Sequence, residues 1–566
     1  MAYTYGDYSI KNILPGIGIT LEAVGPITSQ TTSHSVLLLG EAARGPTDLV
    51  GLTSALSARA YYGSGDLCDA IEDAFGEGAP RVFAKRVLGT GYAIAEADLS
   101  DDQSPTPNVV ATVKAKSAGA WGNGVSVTIT KGAIMHAEQD YFAGNGLGAA
   151  YALSQANFVN PQPTSAYVRV NGEERTIVYT EETLATEKVW LDVAKGTLKF
   201  FTDEDPTEAD QVTYSLWYYG VDVLITDNIT TEYREDLQDL EDMQAAFASS
   251  TLATMEIATG MTHLPDVGVS GVRTVLTGGN DGETIAASDW QQALLECGNE
   301  LEKLNVVPTT VALTAAEVQE NTYDLHVIAS QWATSENTKF RPTIVFVPTK
   351  PAETPENMIL EGMKRSNRHL AIVYPCWDES ERRKNLAVLH AAREAWAPLG
   401  ESVAADENRL KGANGLHGDL EDTINDDYVR ALTTRGIYVV VKTMAGVGPV
   451  KGITTDKLDQ FSRTVDQRTA NFIIRKCWDT MRPFLNRKND ADTREAMKIS
   501  VDNFLRELKN ETNAIYDFVT VVTPDRWNPN MVHFLLKFIP MGHIEWVEVA
   551  MKMGPYRDLA ELQGVA

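Results

Sequence analysis

At 566 residues the chain is too long for one core, and a soft prior of ~150 residues per domain divides it into three or four. Its composition, 43% hydrophobic and 22% charged, is that of an ordinary globular protein and excludes a disordered or fibrous one. A net charge of −28 argues against a general nucleic-acid binder, because phosphate contacts need a basic surface.

The four cysteines, Cys68, Cys297, Cys376 and Cys477, are widely spaced and form no CxxC pair, so they read as buried free thiols. The opening "MAYTYGDYSIKNILPG" lacks a basic-then-apolar signal pattern, and no apolar run approaches the ~20 residues of a membrane span. The expectation is a protein made and used outside a secretory pathway, without membrane insertion.

In chain order, "PGIGITLEAVG" places Ile17, Ile19 and Leu21 on one face of a short strand, with no hairpin partner expected nearby. "SVLLLGEAARGP", "DLCDAIEDAFGEGA" and "PRVFAKRVL" read as strand, helix and strand, the grammar of an α/β unit. From 109 to 130 two alternating strands flank a Gly-rich connection holding Trp121 and Asn123. Between 133 and 230 the texture is all β, with an Asn171-Gly172 hairpin turn, and reads as an insertion. From 233 to about 420 helices and strands alternate, which predicts a mostly parallel sheet covered by helices. The rest combines the strand "GIYVVVKT", two amphipathic helices and the strands "AIYDFVTVV", "MVHFLLKFI" and "GHIEWVEVAMKMG".

A search for catalytic chemistry finds no HExxH, GxSxG, Walker loop or well-placed GxGxxG. His263, His326 and His369 have no carboxylate or cysteine neighbours at ligand spacing and read as structural residues. "LTGGNDGE", 276–283, offers backbone N–H groups to an anion, but without a following Lys-Ser/Thr the plainer reading is a turn. "TDEDPTEAD" lacks the spacing and central glycine of a calcium loop. No catalytic residue, cofactor or metal is therefore expected.

One island departs from the acidic background. Between Phe461 and Asn510 eleven basic side chains face seven acidic ones. Arg468, Arg475 and Arg482 recur every seven residues and so line one stripe of a helix, with Lys476 beside them. Val465, Phe472, Ile473, Cys477 and Met481 form another stripe that would face the core. The plain reading of the basic stripe is a solvated face, and the functional one is a docking surface for an acidic partner.

Several segments, taken in order, resemble the tail sheath proteins of contractile bacteriophages and related contractile injection systems: "PGIGITLE", "VLLLGEAARGPTDLVGLTS", "AKSAGAWGNGVSVTI", "LTGGNDG", "LTTRGIYVVV" and the long run beginning "FSRTVDQRTANFIIRKCWDTMRPFLNRKNDADTREAMKIS". The resemblance covers about 1–130 and 231–566. It implies a non-enzymatic structural protein of stacked sixfold rings around a tail tube, assembled in the host cytoplasm and carried on the virion tail. Baseplate and tail terminator proteins would meet its ends. The sheath of a non-phage injection system is the alternative; an α/β enzyme and a capsid-like shell protein are more distant ones.

The resemblance also implies the organisation: an N-terminal arm (1–25), an N-terminal α/β and β region (26–132), an outward-facing inserted β-rich domain (133–230), and a subtilisin-like α/β central domain without a catalytic triad (231–428). An α+β C-terminal domain facing the tube (429–542) and a terminal strand and arm (543–566) complete it. In such sheaths both arms add strands to a neighbour's C-terminal sheet, which here singles out Ile17, Ile19, Leu21, Val547, Val549 and Met551. The first half of "GHIEWVEVAMKMG" is expected to close its own sheet, and the chain beyond it to reach the neighbour. Arg468, Arg475, Lys476 and Arg482 are expected to contact the acidic tube.

Overall fold

Six parallel strands form the centre of the molecule. The computed structural model describes residues 2–5, 19–22 and 34–543, less 102–107, 145–149, 154–157, 194–195, 228, 262–263, 268–270, 315–321, 352, 379–382, 414, 417–425, 458–461 and 528–529. Its eight-stranded sheet has the order Gly446–Pro449, Ile437–Thr443, Leu370–Tyr374, Ile344–Pro348, Thr310–Leu313, Ser35–Gly40, Arg81–Arg86, Val50–Leu52. The inner six are parallel and the two edge strands antiparallel.

These strands are near-continuous apolar runs because helices cover both faces. Val36 and Leu38 point into a core shared with helices Asp66–Gly76 and Leu386–Trp396. Leu37 and Leu39 point the other way, against Ala287–Leu304 and Thr322–Thr338. The winding direction reverses between Ser35–Gly40 and Thr310–Leu313, as in doubly wound sheets.

Two expected boundaries cut through this sheet. Strands Ser35–Gly40 and Arg81–Arg86, assigned to a separate N-terminal region, lie within it, and Ile437–Thr443, assigned to the C-terminal domain, extends it. Backbone pairing between strands so far apart in sequence leaves no local signature, because each strand carries the same apolar pattern whichever neighbour it meets.

In the β region the expected insertion boundary is crossed as well. The two strands expected around the Trp121 connection are present, Val109–Ala115 in a three-stranded sheet and Ser126–Ala143 in a nine-stranded one. Ser126–Ala143 and Gln211–Thr226 pair along their length and cross the expected insertion boundary without a break. Their near ends pack in one core through Val127, Ile129 and Val223, and their far ends in another through Val212 and Leu216. The insertion thus stands on a continuous two-stranded ribbon. The Asn171-Gly172 turn is present, both residues at positive φ between antiparallel strands.

At the N-terminus, Ile19–Glu22 does have a partner in its own chain: it pairs antiparallel with Ala2–Tyr5, Ile19 opposite Tyr5 and Leu21 opposite Tyr3. At the other end, helices Thr464–Met481 and Ala491–Asn510 pack with a hairpin, Ile515–Pro524 and Val532–Pro540, around a small core of its own.

Candidate assembly surface

The C-terminal hairpin is built by alternation. Phe518 and Val522 on one strand, with Phe534, Leu536 and Phe538 on the other, are half-buried toward the two helices. The opposite face carries Val519 and Ile539, each 57% exposed, with Val521 and Leu535. Among the described residues the two strands pair only with each other, so each has an edge of backbone N–H and C=O groups without a strand partner. A long apolar edge of this kind is a template for another chain.

Beside strand Val532–Pro540 runs a groove of about 860 Å³. Ile473, Met481, Phe534 and Phe538 line its apolar part, and Arg368, Arg482, Arg487, Lys488 and Arg494 its charged part. None of the lining residues is acidic, in a chain of net charge −28. Burial pushes the Cys477 thiol on this wall up to about 12, which makes it a packing group and not a nucleophile.

Local sequence sets the groove's walls. Helix Thr464–Met481 ends where Arg482-Pro483 enters a short turn of tighter helix, since a proline ring cannot continue the hydrogen-bond ladder. The next helix starts at Asp490, whose carboxylate accepts the Thr493 N–H at 2.8 Å. Between them lies an exposed loop with Arg482, Arg487 and Lys488, and with Leu485 60% exposed.

The expected basic stripe is not a surface. Arg468 is 3% exposed; its Nε lies 2.8 Å from the Glu394 carboxylate, and its other nitrogens donate to the Glu394, Ala397 and Glu401 carbonyls at 2.6–2.7 Å. Arg475 is 5% exposed, pairs with Asp479 at 3.3 Å and donates to Asn305 Oδ1 at 2.9 Å. Lys476 is half-buried, and of the four only Arg482 is exposed. Heptad spacing did place Arg468 and Arg475 on one face, but that face packs near His34, Val307 and Leu399, and Arg482 lies beyond the helix end. The cue was present in the polar, uncharged Thr464, Gln467 and Asn471 nearby on the helix, all buried. Three exposed cations, Arg482, Arg487 and Lys488, lie in the loop after the helix.

Of the six residues expected to exchange strands, Ile17, Val547, Val549 and Met551 lie outside the described residues, as does the chain beyond His543. Ile19 and Leu21 belong to the N-terminal strand pair. Sequence reading missed the hairpin's outer face and the groove, although Leu535 and Ile539 among the solvent-side positions of "MVHFLLKFI" signal a second apolar face. Among the described residues no helix is long and apolar enough to cross a membrane, and no group of three or more His, Cys, Asp or Glu side chains is arranged to hold a metal ion.

No family model matches the sequence, and no curated protein does. Solved structures do match. A sheath tail protein from Desulfitobacterium hafniense aligns over 93% of this chain and 100% of its own, at 13% identity and a TM-score of 0.52. A sheath tail protein from Listeria innocua aligns over 90% of this chain and 96% of its own, at 12% identity and a TM-score of 0.53. The chain has the fold of the sheath tail proteins.

Proposed function

We propose that the chain is a structural subunit of a contractile phage tail sheath, which polymerises by strand exchange into stacked sixfold rings around a tail tube and shortens to drive that tube through a host envelope. The observation that carries the reading is the C-terminal hairpin: two edges with no strand partner among the described residues, an apolar outer face and an adjoining open groove, on a chain with the sheath fold. A strand added to an edge contributes main-chain hydrogen bonds of ~1 kcal/mol each and buries side chains worth about 1.5–3 kcal/mol apiece. Four or five residues therefore hold firmly when both contributions act together.

The donors are the terminal segments of neighbouring copies, the N-terminal one through Ile17, Ile19 and Leu21 and the C-terminal one through Val547, Val549 and Met551. The acidic tube is met by Arg482, Arg487 and Lys488, with Lys476 at the margin, instead of by the buried Arg468 and Arg475. Baseplate and terminator proteins cap the ends, the β insertion faces outward, and the central sheet serves as a subtilisin-like scaffold without a triad.

The test is electron microscopy of the purified, concentrated chain. The full chain is expected to form long hollow cylinders, and the chain lacking residues 544–566 to remain a folded monomer. Unchanged cylinders from the truncated chain remove strand exchange through that segment; closed shells or stable monomers from the full chain remove the sheath reading.

A further inference from the structure

His34 and His543, far apart in sequence, are both held by one short turn. His34 Nδ1 lies 3.0 Å from the Ala395 carbonyl oxygen, and His543 Nε2 lies 2.8 Å from that of Gly400. A carbonyl only accepts, so each ring carries its proton on the nitrogen named. Arg468 reaches the same turn from helix Thr464–Met481, giving hydrogen bonds to the Glu394, Ala397 and Glu401 carbonyls. Gly400 sits at a φ of +84°, and a Cβ there would lie 2.8 Å from Ala514 Cα, so the start of the C-terminal hairpin packs directly on the turn. Met541 N–H in turn donates to the Ala514 carbonyl at 3.2 Å, which ties the stretch before His543 to the same place.

We propose that residues 394–401 are a common anchor for both terminal segments. The turn fixes where each segment departs, and a pull on either one passes into helix Leu386–Trp396 and, through Arg468, into helix Thr464–Met481. Those two helices lie outside the hairpin itself, which touches the turn through Ala514. The purpose of such an anchor rests on the strand-exchange reading above, but its existence does not, and it is tested on the monomer.

The four native cysteines are buried, so a cysteine introduced at Thr32 or at Glu545 takes a nitroxide label selectively. Mobility is read by electron spin resonance on the dilute full chain. Gly400→Val, strained at positive φ and in collision with Ala514, is expected to raise the mobility of both labels at least about twofold. His34→Ala is expected to loosen the label at 32 alone, and His543→Ala the label at 545 alone. A Gly400→Val chain that folds and leaves either label unchanged overturns the common anchor. Should that variant fail to fold, the histidine variants decide: each must loosen its own label, and a label that does not respond overturns the proposal. Absence of cylinders from the full chain would remove the sheath reading and leave these mobilities as they are.

Discussion

Glu394 and Arg468 carry opposite charges where water scarcely reaches, at 0% and 3% exposure. Burial pushes the Glu394 carboxyl up, and the Arg468 guanidinium and the Thr464 hydroxyl pull it partly back. Such a pair adds little net stability when intact, because desolvation offsets the attraction, but removing one member strands the other. Glu394→Ala is therefore expected to lower the unfolding free energy by ~3–5 kcal/mol, and Glu394→Gln by less than half of that, since the amide keeps an oxygen facing the guanidinium. Urea titration of both variants checks this, and equal losses would mean that shape, not charge, matters at this position. The seven-residue spacing of Arg468 and Arg475 was legible in the sequence, but their burial was not. A guanidinium on a helix looks the same in sequence whether it meets solvent or a set of carbonyls supplied by a turn 70 residues away.

At the scale of elements, the strands and helices themselves were legible and their partners were not. "SVLLLG", "IVFVP" and "LAIVY" announce buried strands by their apolar runs, yet nothing in them says that all three share a sheet with Ile437–Thr443. Likewise Ser126–Ala143 changes its texture midway because its two ends face different cores, and this produced a domain boundary where the backbone has none. The basic island was legible as composition, and three of its exposed cations lie in the loop between helices Thr464–Met481 and Ala491–Asn510. Arg487→Glu with Lys488→Glu reverses two exposed charges. Stability is expected to change by no more than ~0.5 kcal/mol and tube-free polymerisation to persist. Co-assembly with an acidic tube protein is expected to weaken, and more so at low salt, where screening is least. Sedimentation of mixed assemblies at two ionic strengths measures it, and undiminished co-assembly removes the loop from the tube contact. Arg475→Glu cannot serve as that probe, because it would place a carboxylate beside Asp479 in a buried site.

The whole molecule has an acid sensitivity set by its central sheet. His369 precedes strand Leu370–Tyr374, and His390 lies on the covering helix with Nδ1 3.2 Å from the Tyr438 hydroxyl; they are 2% and 1% exposed. Burial lowers His369 to about 4 and His390 to about 3, with Arg368 and Arg409 respectively adding repulsion. An imidazole whose pKa falls on folding binds fewer protons folded than unfolded, so stability declines as pH drops below the unfolded value of about 6.5. Between pH 7 and pH 5 each of the two is expected to cost roughly 2 kcal/mol. Glu77 and Glu394, whose carboxyls burial pushes up, act in the opposite sense, whereas Glu361, held down to about 2, contributes a loss only below the ordinary carboxylate range. These carboxyls are untouched in a His369→Gln, His390→Gln variant, so comparing it with the parent isolates the imidazoles. The parent's urea midpoint for the central unit is expected to fall steeply from pH 7 to pH 5 and the variant's to fall far less. Equal slopes would mean that these histidines accept protons within the fold, contrary to their burial.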